Sequence, residues 1–368
     1  MTRFFSPNIL IVGSLLDGHV RRVCEFLPPS SQPLIINYSR YPSEYSASVR
    51  VGSERAASVA MSDGTQCSLD RVSAVWWRRP FAFATTSLSD PGEKNYVDVQ
   101  CEFFWSSLLS CLDREAVWYN HWRDDHFIDR NAYQLVLARR CGLSVPETLV
   151  TSDLDLAADF LSKFRPAIFK AFGGTSTIGF PTRLLTREML SHLPLVRNCP
   201  VIFQQLITGR YDYRVTIIDG EVEAVEFDVG ASNYTYDVRV DPQTPCRRVE
   251  LPVSITDALI QLTRMAHLRF GAIDLRRSDD GEFFFLELNP AGQFVYLDDR
   301  AGTQIAKILA GKLSAAQSSQ GELSPSTPSI RPETIAVGRP DPADRRPFAV
   351  ATADAFVGPP HFSAVGIQ

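Results

Sequence analysis

Asp274, Glu287 and Asn289 lie in the segment FGAIDLRRSDDGEFFFLELNPAGQF, whose Asp280-Gly281 pair marks a hairpin turn. A two-residue loop pairs Asp279 with Glu282 and sets Asp274 directly opposite Glu287. A four-residue loop over Ser278 to Gly281 shifts the register by one pair and leaves Asp274 on the face that carries Phe285, Glu287 and Asn289. Only an odd loop would turn Asp274 to the other face. Two carboxylates facing each other across a strand pair repel, and Glu287 sits in an apolar run, so the pair calls for a neutralising partner. A hard divalent cation held by oxygen atoms, magnesium above all, supplies one. A half-buried strand with both carboxylates turned to solvent is the competing reading of the same spacing.

Other segments offer contacts for an anion. Lys170 closes the strand-like AIFK and is followed by AFGGTSTIGF, where Gly173, Gly174 and Gly179 let backbone N–H groups wrap a phosphate beside the lysine charge. The loop lacks GxxxxGK[ST] and is not a P-loop; an ordinary hairpin turn fits it equally well. A second hairpin, RYDYRVTIIDGEVEAVEF, turns at Asp219-Gly220. Alternation puts Val215, Ile217, Val222 and Ala224 on one face and Arg214 and Thr216 on the other. Arg214 is then placed to meet phosphate or carboxylate oxygens, with Asp212 on the same face to orient it, unless the two form only a surface ion pair. VIFQQLI (201–207) is either a core strand or an edge where a nucleobase meets backbone amides. The close pair His121 and His126 lacks a third ligand nearby for zinc.

These residues need strands and helices to hold them. Short β-type runs at 8–13 and 33–38 flank a helix-like segment from Asp17 to Phe26, an α/β start whose Gly13-Ser14 turn is not GxGxxG. Strands follow over 45–80, helices are expected at 97–112 and 124–141 with Gly142 as C′ residue, and another near 153–163. After about Leu313 the chain turns rich in Ser, Pro, Gly and Ala without periodicity, the composition of a disordered tail. The 368 residues, 45% hydrophobic, suffice for two or three domains, and a net charge of −5 argues against a nucleic-acid partner. Seven cysteines without CxxC or zinc spacing fit a reduced, cytoplasmic protein. The apolar run from Ile9 to Leu16 is too short to span a bilayer and has no cleavage site after it, so no membrane role is expected.

In order and spacing, VWWRRP (75–80), AVWYNHW (116–122), QLVLARRCGLSVPETLVTSD (134–153), FQQLITGRYDYRVTIIDGEV (203–222), YDVR (236–239) and the 270–294 hairpin resemble the ATP-grasp ligases, in particular the graspetide or microviridin-type maturases of ribosomal peptides. The likeness covers about residues 5–312. It implies an α/β chain with an N-terminal pre-ATP-grasp domain (1–120), an ATP-grasp body of two α+β subdomains clamping ATP (121–313), and the disordered tail (314–368). It implies ATP and Mg²⁺ as cofactors: Lys170 on the phosphates, Gly173 and Gly174 in the lid, Gln204, Gln205, Leu206 and Ile207 at the adenine hinge, Arg214 and Arg239 beside the transferred phosphoryl group, and Asp274, Glu287 and Asn289 on the metal. Arg78 and Arg79 fall in its N-terminal signature with a structural or peptide-side role. Where relatives carry a lysine this chain has Asn131, with Arg130 as candidate replacement on the phosphates; Gln205 replaces the hinge glutamate, and DVR replaces DWR. The activity implied is ADP-forming ligation: a peptide side-chain carboxylate is activated as an acyl phosphate and captured as an ester or amide cross-link in a ribosomal precursor peptide. Rival readings are a ligase for free amino acids or a protein terminus, and a degenerate binder of ATP or peptide. A homodimer is compatible with all of them.

Overall fold

The computed structural model describes residues 3–52, 56–80, 82–85, 88–112, 116–128, 131–172, 182–232 and 243–316. The chain begins with strands β1 (Phe4–Phe5), β2 (Ile9–Val12), β3 (Pro33–Ile36), β4 (Tyr45–Arg50), β5 (Ala56–Met61), β6 (Gln66–Ser68), β7 (Ala74–Trp77) and β8 (Val117–Tyr119), and helices α1 (Gly18–Phe26) and α2 (Pro91–Ser110). A parallel sheet in the order β3-β2-β7-β8 carries β2 at its centre, where all four residues are buried. A second sheet, β1-β6-β5-β4, packs with α2 on the other side of a shared aromatic core that includes Tyr38, Trp105 and Trp118. Helix α2 starts six residues before the expected 97, because Asp90 caps the Glu93 N–H at 2.8 Å and Pro91 occupies the first turn.

Next come α3 (Trp122–Ile128), α4 (Asn131–Arg140), β9 (Thr148–Thr151), α5 (Leu154–Lys163), β10 (Ala167–Lys170), β11 (Arg183–Leu184) and β12 (Val201–Gln205). The helix expected over 124–141 is therefore two helices, α3 and α4, on either side of residues 129 and 130. Gly142 does end α4 with φ of +81°, and the Leu143 N–H returns to the Ala138 carbonyl. Strands β11-β10-β12-β9 form an antiparallel sheet backed by α5, whose Ala157, Phe160 and Leu161 fill a small core.

The remainder comprises β13 (Tyr211–Ile218), β14 (Glu221–Asp228), β15 (Cys246–Val249), α6 (Val253–Met265), β16 (Phe270–Arg277), β17 (Phe283–Asn289), α7 (Val295–Ala301) and α8 (Ile305–Ala315). The sheet runs β15-β14-β13-β16-β17, antiparallel throughout. Asp219 and Gly220 both take positive φ, 49° and 83°, so β13 and β14 meet in the expected two-residue turn. One face of this sheet buries Val215, Ile217, Ala224 and Leu275 against α4 and α6. On the opposite face Ile218, Val225, Phe227 and Phe270 join α1, α7, α8 and the parallel sheet in a common core.

Asn120, just after β8, is fully buried and bonds the main chain at the start of β16 and just beyond β17 with its side-chain amide. Its amide nitrogen donates to the Phe270 and Pro290 carbonyls at 2.7 and 3.0 Å, and its oxygen accepts the Arg269 and Phe270 N–H groups, both at 2.9 Å. Tyr119 adds a hydroxyl bond to Asp219 at 2.5 Å. Asn120→Ala strands four backbone groups in a dry site, so a loss of about 3 kcal/mol or more is expected in denaturant unfolding of the variant against the parent.

Candidate active site

The β16–β17 hairpin does not use either of the even loops that Asp280-Gly281 suggests. Ser278 N–H bonds the Glu282 carbonyl at 2.8 Å, and Gly281, with φ of +88°, closes a three-residue loop over Asp279 to Gly281. That odd loop turns Phe283 and Phe285 toward the core, with Leu275 across from Phe285. A bulge then restores the other parity. Leu286 is the extra residue, since Leu275 pairs with Phe285 whereas Asp274 pairs with Glu287. Asp274 and Glu287 thus face each other as expected, but Phe285 lies on the opposite face from them.

β13 completes the rung, because Arg214 pairs in register with Asp274 on the other side. Its Nη1 donates to Asp274 Oδ1 at 2.6 Å. Burial works against the Arg214 charge, yet Asp274 first and Tyr296 and Glu287 besides hold its pKa above the ordinary arginine value. Asp212 does not take the expected role. It lies opposite Arg276 and holds that guanidinium through two bonds, of 2.6 and 2.8 Å, so that the partner of Arg214 is Asp274. On the next rung Ala272 pairs with Asn289, whose Oδ1 accepts the Ala291 N–H at 2.9 Å.

These residues border a cavity of about 480 Å³ between the five-stranded sheet and the β9–β12 sheet. Arg214, Asp274, Glu287 and Asn289 line one wall; Lys170, Gln204, Gln205, Leu206 and Ile207 line the facing one. Lys170 ends β10 opposite Ile202. Gln204 is buried, donates to Thr148 Oγ1 at 2.9 Å, and keeps its Oε1 without a donor. Such an orphaned acceptor, beside the apolar Ile168, Leu206 and Ile207, fits the amino edge of a purine. Two facing carboxylates and an amide oxygen form a donor set that fits a hard cation. Among the described residues no three His, Cys, Asp or Glu side chains cluster as a metal site. Gly173, Gly174, Arg130 and Arg239 lie outside the described residues.

Several contributors carried no distinct signal in the sequence. Gln134 on α4 accepts the Leu288 N–H and donates to the Leu288 carbonyl, both at 2.8 Å, fixing the residue between Glu287 and Asn289 on the outer edge of β17. Gln293, Tyr296 and Arg300 extend the lining. Of the paired arginines, Arg79 is exposed and borders the cavity, whereas Arg78 is buried. Arg78 Nε donates to Asp17 at 3.0 Å and its Nη1 to the Gly292 carbonyl at 2.9 Å. Asp17 also caps α1 through the His19 N–H at 2.7 Å.

No protein-family model matches the sequence, and no curated protein does. Solved structures do match. The macrocyclase MdnC from Microcystis aeruginosa MRC, bound with precursor peptide MdnA, aligns with a TM-score of 0.74 at 22% identity, over 84% of this chain and 99% of that one. A Chryseobacterium gregarium RiPP-associated ATP-grasp ligase, in complex with ADP and a leader and core peptide, gives 0.74 at 24% identity over 84% and 96%. The ATP-grasp ligase PsnB complexed with minimal precursor gives 0.70 at 28% identity over 84% and 99%. The chain has the fold of these ATP-grasp ligases.

Burial alone would raise the Asp17 pKa, but the His19 hydrogen bonds and the Arg78 charge outweigh it and hold the carboxyl well below its usual range. A depressed folded-state pKa means a stabilising contribution that is complete above about pH 5 and is lost as pH falls through the carboxylate range. Asp17→Asn should therefore be less stable at neutral pH and lose less of its stability between pH 6 and 3 than the parent, as read by unfolding at a series of pH values.

Proposed function

We propose that this chain is an ADP-forming ligase that uses ATP and Mg²⁺ to activate a side-chain carboxylate of a ribosomal precursor peptide and closes an ester or amide cross-link within it. The observation that carries this reading is the convergence on one cavity of a lysine, a buried guanidinium, an apolar purine-sized wall and a facing carboxylate pair. It is supported by the neighbours, since PsnB is seen complexed with minimal precursor, Mg and ADP, and MdnC with its precursor peptide.

In this reading Gln204 to Ile207 hold the adenine, with Gln204 Oε1 as acceptor, and Lys170 holds the phosphates with Arg130, Gly173 and Gly174. Asp274, Glu287 and Asn289 hold magnesium, which when bound neutralises phosphate charge. Arg214 and Arg239 meet the oxygens of the transferred phosphoryl group, where fixed positive charge favours a transition state that spreads negative charge outward. The peptide carboxylate attacks the γ-phosphorus and ADP leaves. A Ser or Thr hydroxyl or a Lys amine then attacks the acyl phosphate carbon, the nucleophile loses its proton, and phosphate departs. Water must be kept from that intermediate, a task assigned to the glycine-rich segment 173–179. We place the division between an N-terminal domain (1–120) and the ATP-grasp body (121–313) at the junction after β8. We place the chain in the cytosol, a setting that its seven free cysteines support; among the described residues no helix is long and apolar enough to cross a membrane.

The test is co-expression with the short acidic, Ser/Thr- or Lys-containing peptides encoded beside the gene. Loss of one water per cross-link is expected in the intact peptide mass, and none with Glu287→Gln, a variant that should fold normally. A folded Glu287→Gln protein with near-parent turnover would sink the metal assignment, and unmodified peptides throughout would sink the peptide substrate.

A further inference from the structure

We infer that Arg78 is a positioning residue for the cation and phosphate end of the cavity, delivered from the parallel sheet; this rests on the ligase reading above. Its guanidinium spans two carbonyls and a carboxylate. Nη1 donates to the Ala291 and Gly292 carbonyls, at 2.5 and 2.9 Å, and Nε to Asp17. Arg79 Nη2 adds a bond of 3.1 Å to the same Ala291 carbonyl.

The loop so held touches one of the three cation-ligand candidates and the arginine that carries a second. At one end the Ala291 N–H orients Asn289 Oδ1. At the other, Gly292 backs onto Arg214. A Cβ built at position 292 would lie 2.8 Å from Arg214 Nη2 and 2.2 Å from the Ala272 Cβ, so the backbone itself is the wall against which that guanidinium rests. Arg214 in turn carries Asp274. A shift of the 289–292 turn by a few tenths of an ångström therefore reaches Asn289 directly and Asp274 through Arg214.

Stability alone does not account for an arginine here. Only 1% of Arg78 is exposed, and its Nη2 is buried with no acceptor. Burial pushes its pKa down to about 10, against the pull of Asp17. A buried charge with an idle donor is a poor stabiliser compared with an apolar side chain of similar volume. What an apolar residue could not do is grip two successive carbonyls and a carboxylate with one rigid plane. Lysine, a point charge on a flexible stem, could not hold all three either.

The experiment reads binding rather than turnover: the Mg²⁺ concentration that gives half of the ADP-dependent rise in melting temperature, in the full-length protein. Loss of a residue that orients metal ligands typically weakens the metal by about 10- to 100-fold. Arg78→Gln should raise the half-effect concentration by about 10-fold or more, with Arg78→Lys between it and the parent, while ADP binding without Mg²⁺ stays as in the parent. An unmoved Mg²⁺ curve in folded Arg78→Gln overturns the inference. Should that variant not fold, folded Arg78→Lys decides by the same criterion, and Asp17→Ala, which removes the acceptor of Nε, must show a smaller shift in the same direction. Glu287→Gln separates the two levels of reading. If it leaves the Mg²⁺ curve unmoved, the cation site is wrong; if it moves the curve and Arg78→Gln does not, only the positioning role fails.

Discussion

Arg214, Asp274 and Glu287 stand side by side on three adjacent antiparallel strands, and the electrostatics of that single rung constrain everything around it. Opposed carboxylates on neighbouring strands repel at a separation of about 5 Å, and the repulsion grows as water is withdrawn. One guanidinium, at 2.6 Å from Asp274, compensates part of this. A rung of that kind is poorly suited to a core and well suited to a cation. The same sheet face is apolar a few residues along β13 and β16, at Ile218 and Phe270, so the change from core to site occurs within single strands. The charges therefore sit on a rigid support, which side chains on a loop would lack.

That support has one exposed flank, since β17 is the edge strand of its sheet. The edge is closed without a further long strand. Gln134 satisfies both backbone groups of Leu288, and the Ser144 carbonyl accepts the Phe285 N–H at 2.8 Å on the same side. Asn120 holds the Pro290 carbonyl just beyond the strand end. A carboxamide carries an acceptor and two donors, so it can mimic the edge of a neighbouring strand at one residue. The ligand strand is thus tied from α4, from the segment after α4, and from the end of the parallel sheet, three parts of the chain remote in sequence.

Much of this was legible in the residues, for reasons that are local. Asp219-Gly220 dictates its turn because both residues must take positive φ, and the alternation along β13 and β14 follows from it. The opposition of Asp274 and Glu287 was also legible, but through a route that spacing does not reveal. The loop is odd and the bulge at Leu286 cancels it, and each of these depends on tertiary packing of Phe283 and Phe285 against the core. Asp212 illustrates a second limit. Proximity in sequence suggested Arg214, two residues away, whereas the partner is Arg276 on the neighbouring strand, which only the sheet register reveals. Asn120, Gln134 and Arg78 all lay in motifs visible in the sequence, yet their roles are hydrogen bonds to main chain more than 100 residues distant, which no residue type announces.

The two walls of the cavity belong to different sheets, so its width depends on the chain that joins them, residues 206–210. That segment is held tightly against the end of the ligand hairpin. Arg276 Nη1 reaches the Ile207 carbonyl at 3.3 Å, Asp279 N–H reaches the Thr208 carbonyl at 3.2 Å, and Gly209 packs so closely that a Cβ would fall 2.0 Å from the Arg277 carbonyl oxygen. Glycine is required there by contact and not by dihedral angle. The buried Asp212–Arg276 pair then acquires a purpose that its energy alone does not supply, because such pairs contribute little net stability. By anchoring Arg276 on β16, Asp212 fixes the donor that positions Ile207, one of the residues of the apolar wall. The strand that carries Asp274 at one position carries Arg276 two residues on, and so a single strand sets both the charged rung and the height of the opposite wall above it.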